Sequence, residues 1–127
     1  MITHGFKKMV AEANAVIDTI SVPDAFAKHN DDEVIFVDVR EKHERESKGH
    51  IAGSIHAPRG FLELIADPEG PMHNEIMVCG KHLILYCGTG ARSALAVKTL
   101  MDMGLTNLSG MAGGYTAWLD IDGPIEK

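Results

Sequence analysis

Cys87-Gly88-Thr89-Gly90-Ala91-Arg92-Ser93 places a thiol at the end of an apolar run, His82-Leu83-Ile84-Leu85-Tyr86, and just before a helix-favouring segment. Two glycines inside such a turn free its backbone, so several N–H groups can converge on one centre. A helix opening near Ser93 adds unpaired N–H donors and the positive end of its dipole. Thiols in such surroundings lose their proton more readily than a free cysteine does. The stretch therefore suits a thiolate nucleophile held in a cradle of Gly88, Thr89, Gly90, Ala91 and Arg92, open to an anionic substrate or a second anionic sulfur. A strand-end cysteine followed by a tight, glycine-rich turn is the purely structural alternative, and spacing alone leaves both open.

A side chain can be presented in this way only by a framework behind it. Residues 33–40 and 82–87 are near-continuous apolar runs of strand length, the pattern of strands buried on both faces of a parallel sheet. Shorter strand candidates lie at 16–21, 53–58 and 105–110. Between them stand helix-favouring segments. Residues 6–16 space Phe6, Met9, Val10 and Ala13 helically; a second segment opens at Ser21-Val22-Pro23, with Ser21 as cap. Further segments cover 41–49, ended by Gly49; one from 59, with Phe61, Leu62 and Ile65 inward, ended by the Asp67-Pro68-Glu69-Gly70-Pro71 turn; 92–103, ended by Gly104; and 113–124. Strands alternating with helices of about ten residues indicate an α/β domain with a mostly parallel sheet. In such sheets ligands bind beyond the carboxyl ends of the strands, where Cys87 and Asp38-Val39-Arg40 both fall.

The chain has 127 residues, 45% of them hydrophobic and 24% charged, with a net charge of −6. That length suits one domain with its own core, and the acidic balance argues against nucleic-acid and anionic-membrane partners. Any anion site must be built locally. Two cysteines, Cys79 and Cys87, are too few for a disulfide scaffold and suit a reducing compartment. No apolar run reaches membrane-span length and the first residues lack a signal-peptide core, so the expectation is a cytoplasmic protein.

Three blocks in order resemble the rhodanese-like sulfurtransferase family. They are "VIFVDVREKHERESKGHIAGSIHAP", "LILYCGTGARSALAV" and "GMAGGYTAWLDIDGPIE". The resemblance covers roughly residues 15–126. It implies a single α/β rhodanese-like domain over 16–127, with a central parallel five-stranded sheet flanked by helices, preceded by an N-terminal helical extension, 1–15. It also implies that Cys87 carries sulfur as a persulfide. A small anionic donor such as thiosulfate would load it, and a thiophilic acceptor (cyanide, a thiol or a protein cysteine) would unload it, with no metal or cofactor. Residues 88–92 would bind the anion, and Arg59, which follows the His-x-Pro segment, would line the pocket mouth. Cysteine phosphatases resemble Cys-x5-Arg, whereas Cys87 to Arg92 is Cys-x4-Arg, one residue shorter, which favours sulfur over phosphate. A catalytically idle binding module is the other alternative. Loop positions 88 and 89 lack the basic residue of many thiosulfate-using members. They are closer to the neutral loop of mercaptopyruvate sulfurtransferases, which are two-domain proteins without arginine at this point.

Other residues carry weaker signals. Arg92 either faces substrate or braces the loop on Asp38 or Glu41, and the brace is the expectation. His50 and His56 lack a third metal ligand and are taken as structural, as are Asp38 and Arg40 at their strand end. Trp118 is expected in the core and Cys79 as an inert or surface thiol; His4, His29, His73 and His82 are expected on the surface.

Overall fold

The computed structural model describes residues 1–127. Six α-helices and seven strands run in the order α1 (Phe6–Val16), β1 (Thr19–Ile20), α2 (Val22–Ala27), β2 (Val34–Asp38), α3 (Lys42–Lys48), β3 (His50–Ile51), β4 (Ile55–His56), α4 (Leu62–Ala66), β5 (His82–Tyr86), α5 (Ala91–Asp102), β6 (Leu108–Met111), α6 (Gly114–Asp120) and β7 (Ile125–Glu126). Five strands form one parallel sheet in the order β1-β6-β5-β2-β4. The two strongest apolar runs, β2 and β5, lie side by side near its middle and pair from Val34–His82 to Asp38–Tyr86. No helix is long and apolar enough to cross a membrane.

Alternation along β5 decides which face the thiol joins. Leu83, Leu85 and Cys87 pack into one core with Ala96, Val97 and Leu100 of α5 and Leu62 and Ile65 of α4. Ile84 and Tyr86 face the other core, with Phe36, Tyr115 and Trp118. Cys87 is thus the last inward residue of the face covered by α5, directly under the start of that helix. Trp118 is fully buried and its indole N–H donates to the Pro124 carbonyl at 3.0 Å, as a core anchor requires.

The N-terminal helix is not a separate appendage. Ala13 is fully buried, Ile17 packs against the α5-side core and α1 lies on α5. The helix spans Phe6–Val16 as its spacing predicts, so the expected domain boundary after residue 15 falls inside it, and only Thr19–Ile20 of the expected strand 16–21 pairs in the sheet. Ser21 caps α2 by accepting from the Asp24 N–H at 3.2 Å. Phe61 is 48% exposed because residues 59–61 form a 3-10 turn, which rotates it away from the face shared by Leu62 and Ile65. The antiparallel pair β3–β7, His50 opposite Glu126, has no counterpart in the sequence reading, since two-residue strands carry no periodicity.

Candidate active site

Cys87 is 1% exposed. Its Sγ accepts from the Gly90 N–H at 3.1 Å and from the Ser93 N–H at 3.4 Å, and the thiol lies 3.6 Å from the Ser93 hydroxyl. The sulfur therefore acts as the N-terminal cap of α5, taking a donor that the first helical turn cannot satisfy internally. Gly90 makes the turn possible: its φ of +112° lies where a side chain would be strained. The first helical bond then runs from Ala94 to the Gly90 carbonyl. The N–H groups of Gly88, Thr89, Ala91 and Arg92 have no acceptor within the protein. A buried thiol thus sits among four unspent donors of one short loop.

The loop's carbonyls are held from the other side by the start of α6. The Tyr115 N–H donates to the Cys87 carbonyl at 2.7 Å and the Thr116 N–H to the Gly88 carbonyl at 3.1 Å. Both contacts need Gly114 bare: a Cβ there would stand 2.6 Å from each of those two carbonyl oxygens. With its carbonyls tied down, the loop is fixed while its N–H groups stay free, which is preorganisation for an anion.

Arg92 is braced, but not by the carboxylates expected. Its two terminal nitrogens donate to Glu44 of α3 at 2.8 and 2.9 Å. Asp38 is already engaged by Arg40, Arg45 and Tyr86, and Glu41 caps α3 in a reciprocal box with Glu44. The hydrogen bonds from Arg92 bring the Glu44 pKa down to about 2 and raise that of Arg92 in turn. The guanidinium lies beside the loop: a Cβ on Gly88 would be 3.4 Å from it.

Arg59 does not join this group. Its guanidinium donates to Glu63 at 3.2 Å and to the Thr99 hydroxyl at 3.1 Å, two turns along α5 from the loop. The cause is local: Glu63 stands one helical turn on, where an arginine finds a ready partner.

The neighbouring strand end, Asp38-Val39-Arg40, has the opposite character. Asp38 and Arg40 are buried and paired at 2.8 Å; Arg40 also donates to the Gly49 carbonyl and stacks 4.2 Å from the Tyr115 ring centre. Burial opposes the charge on Asp38, but hydrogen bonds from Arg40 and Tyr86 outweigh it and the carboxyl pKa falls below its usual value. Burial, with the Asp38 charge, pushes the Tyr86 phenol up. No buried side-chain nitrogen or oxygen here lacks a partner, so the cluster is an organiser of the strand end. The His56 Nε2–H donates to the Arg40 carbonyl at 2.7 Å, and His50 stands 3.4 Å from Glu126. His29, His73 and His82 are half-buried rather than on the surface, bonded to Ala52, Ile65 and Ser109 respectively. Cys79 is free and exposed.

Beside the loop lies a cavity of about 420 Å³, walled by Thr89, Gly90, Ala91 and Ala94 on one side, by Val10, Asn14 and Ile17 on the other, and closed by the carboxyl end of β6. The contribution of the N-terminal helix to it was invisible in the sequence, because a helix registers there only as an amphipathic period. Ser93 and Glu44 were likewise missed, though a serine at the third helical position and a glutamate three residues after Glu41 are the available signals.

Residues 22–121 match the model of the rhodanese-like domain family. The chain is 33% identical over 95 residues to the chloroplastic thiosulfate sulfurtransferase 16 of Arabidopsis thaliana, covering 65% of this chain and 72% of that one. It is 32% identical over 90 residues to the mitochondrial protein HIGH ARSENIC CONTENT 1 of the same plant, covering 67% of this chain and about half (52%) of that protein. Among solved structures, a Rhodopseudomonas palustris protein of unknown function, described as a possible tyrosine phosphatase, superposes with a TM-score of 0.95. It is 44% identical, over 99% of this chain and 97% of that one.

Proposed function

Because this chain belongs to the rhodanese-like domain family, we propose that it is a sulfurtransferase that carries a sulfane sulfur as a persulfide on Cys87. The observation that carries this reading is the set of four unspent N–H donors, of Gly88, Thr89, Ala91 and Arg92, in the same short loop as a sulfur already held by two others. In the loading step the Cys87 thiolate attacks the outer sulfur of thiosulfate or a similar donor. The donor's S–S bond breaks and sulfite leaves with the electron pair. In the unloading step a thiophilic acceptor attacks the outer sulfur of the persulfide, and the Cys87 sulfur departs as thiolate. The added sulfur extends about 2 Å beyond Sγ, one S–S bond length. That reach suits the ring of amides, which stabilise the negative sulfur without having to reorganise. Each such bond to a charged acceptor contributes about 1.5–3 kcal/mol. Two half-reactions through one covalent intermediate give ping-pong kinetics.

The description of the Rhodopseudomonas protein favours a second reading, phosphate-ester hydrolysis at the same cysteine. The four residues between Cys87 and Arg92 argue against it, since a tetrahedral phosphate needs a wider ring than one sulfur atom. Intact mass after incubation with thiosulfate or mercaptopyruvate separates the two. The sulfurtransferase gains the mass of one sulfur atom, lost again on adding cyanide. No gain, together with turnover of p-nitrophenyl phosphate, would support the phosphatase instead.

A further inference from the structure

Three groups meet the sulfur of Cys87 directly, and they are separate from the four unpaired amides of its loop. The Gly90 and Ser93 N–H groups donate to Sγ, and the Ser93 hydroxyl lies 3.6 Å from it. Cys87 and Ser93 are each 1% exposed, so water does not stand in for that hydroxyl.

The hydroxyl has one proton and two acceptors within reach. While Cys87 is a thiol, its S–H donates to the Ser93 Oγ, and the Ser93 O–H donates to the Gly90 carbonyl at 3.1 Å. Loss of the thiol proton leaves a negative sulfur in the same place. A hydrogen bond to a charged acceptor is roughly twice as strong as one between neutral groups, so the Ser93 O–H turns from the carbonyl to the sulfur. That rotation strands nothing, because the Gly90 carbonyl keeps the Ala94 N–H at 3.1 Å. In a persulfide, Sγ is bonded to carbon and to sulfur and the negative charge lies on the outer sulfur. The hydroxyl then gains little at Sγ and returns to the carbonyl.

We propose that the Ser93 hydroxyl is a catalytic donor to the inner sulfur, turned towards Cys87 when it is a thiolate and away when it carries the added sulfur. This deepens the sulfurtransferase reading and rests on it. In loading, the thiolate attacks the outer sulfur of the donor, sulfite leaves with the electron pair, and the hydroxyl turns back to the Gly90 carbonyl. In unloading, the acceptor attacks the outer sulfur, the S–S electron pair returns to Sγ, and the O–H meets the charge as it forms. No proton passes between residues and no oxidant or reductant is consumed. The hydroxyl thus assists unloading, where Cys87 is the leaving group, and restrains loading, where Cys87 is the nucleophile.

The test is the rate of each half-reaction of the full chain in single turnovers, followed by intact mass: loading with thiosulfate, unloading with cyanide. Each protein is measured on the alkaline plateau of its own loading rate, where the thiol is ionised. Ser93→Ala removes the hydroxyl, keeps the N–H and suits a helix. Its unloading should be slowed about tenfold, as loss of one charge-assisted donor in the transition state requires, while its loading is not slowed. The ratio of unloading to loading should therefore fall about tenfold or more. Ser93→Thr, which retains a hydroxyl, should bring the ratio back towards that of the parent. Circular dichroism reports on the fold of both variants. A loop merely misshapen by the substitution would slow both steps alike, since both pass the same outer sulfur through the same amides. Equal slowing in Ser93→Ala, or a ratio in folded Ser93→Thr as low as in Ser93→Ala, overturns the assignment, while persulfide formation by the parent leaves the sulfurtransferase reading standing. Absence of persulfide and of cyanide transfer in the parent overturns both.

Discussion

Two adjacent strands of equal length, β2 and β5, end at the same edge of the sheet and do opposite things there. After β2, Asp38 and Arg40 are buried, paired with each other, and further bonded to Tyr86, Arg45 and the Gly49 carbonyl. After β5, the polar groups are backbone amides, and four of them have no partner. Full satisfaction makes the first end a strut: its charges are ionised, rigid and closed to any ligand. Unpaired donors leave the second free to take a ligand, the role proposed for it above. The four amides belong to half-buried or exposed residues, so they are open to a ligand as well as to water, whereas the buried charges of the first end have no such freedom.

The sharpest way to break this contrast is to swap stability against activity at the two ends. Cys87→Ser should abolish sulfur transfer to cyanide, while the serine hydroxyl keeps an acceptor for the Gly90 and Ser93 amides and the fold changes by about 1 kcal/mol. Steady-state assay and urea unfolding measure the two quantities, and substantial turnover would sink the covalent intermediate. Asp38→Ala should do the reverse. It leaves the buried Arg40 guanidinium without its counter-ion and should cost about 3–5 kcal/mol in urea unfolding, with turnover per folded molecule altered far less.

A smaller effect tests the loop's size. One residue inserted between Ala91 and Arg92 should widen the ring and misdirect at least one amide, slowing transfer by roughly 10-fold. The fold should survive, since the change lies in a loop rather than in the sheet. Transfer at the parent rate by a folded insertion variant would show that loop length does not select sulfur.

The smallest effect belongs to the brace that joins the two ends. Glu44→Gln weakens the fork on Arg92; the pair is partly exposed, so stability should fall by at most about 1 kcal/mol at neutral pH. The pH dependence gives the sign. The Glu44 pKa is lowered to about 2, so its contribution is present above the ordinary glutamate range and fades as pH falls towards that value. The difference in unfolding free energy between parent and variant should therefore vanish on acidification. A difference that persists below pH 2 would assign the effect to something other than the charge on Glu44.

How much of this was legible beforehand follows from what a sequence can carry. β2 and β5 declare themselves because strands with neighbours on both sides and helices on both faces read as near-continuous apolar runs, broken only by the paired Asp38. The Cys87 turn declares itself because its glycines have few other uses. Arg92 was readable as a brace, yet its partner was not: Asp38 is held by Arg40, Arg45 and Tyr86 and Glu41 caps α3, while the fork of Arg92 meets Glu44. Arg59 illustrates the converse, a cation whose local partner, Glu63, turns it along α5 and away from the loop. The cavity depends on where α1 docks, which is a tertiary matter that no local pattern contains.

The central claim is that the unpaired amides of the β5–α5 loop receive the sulfur. The most direct measurement is a pair of ¹H–¹⁵N NMR spectra of the protein before and after loading with thiosulfate. The amide signals of Gly88, Thr89, Ala91 and Arg92 should move downfield together, as new hydrogen bonds to a negative sulfur require, while those of Asp38, Val39 and Arg40 should stay nearly fixed. Persulfide formation, confirmed by mass, with the four loop amides unmoved would contradict it.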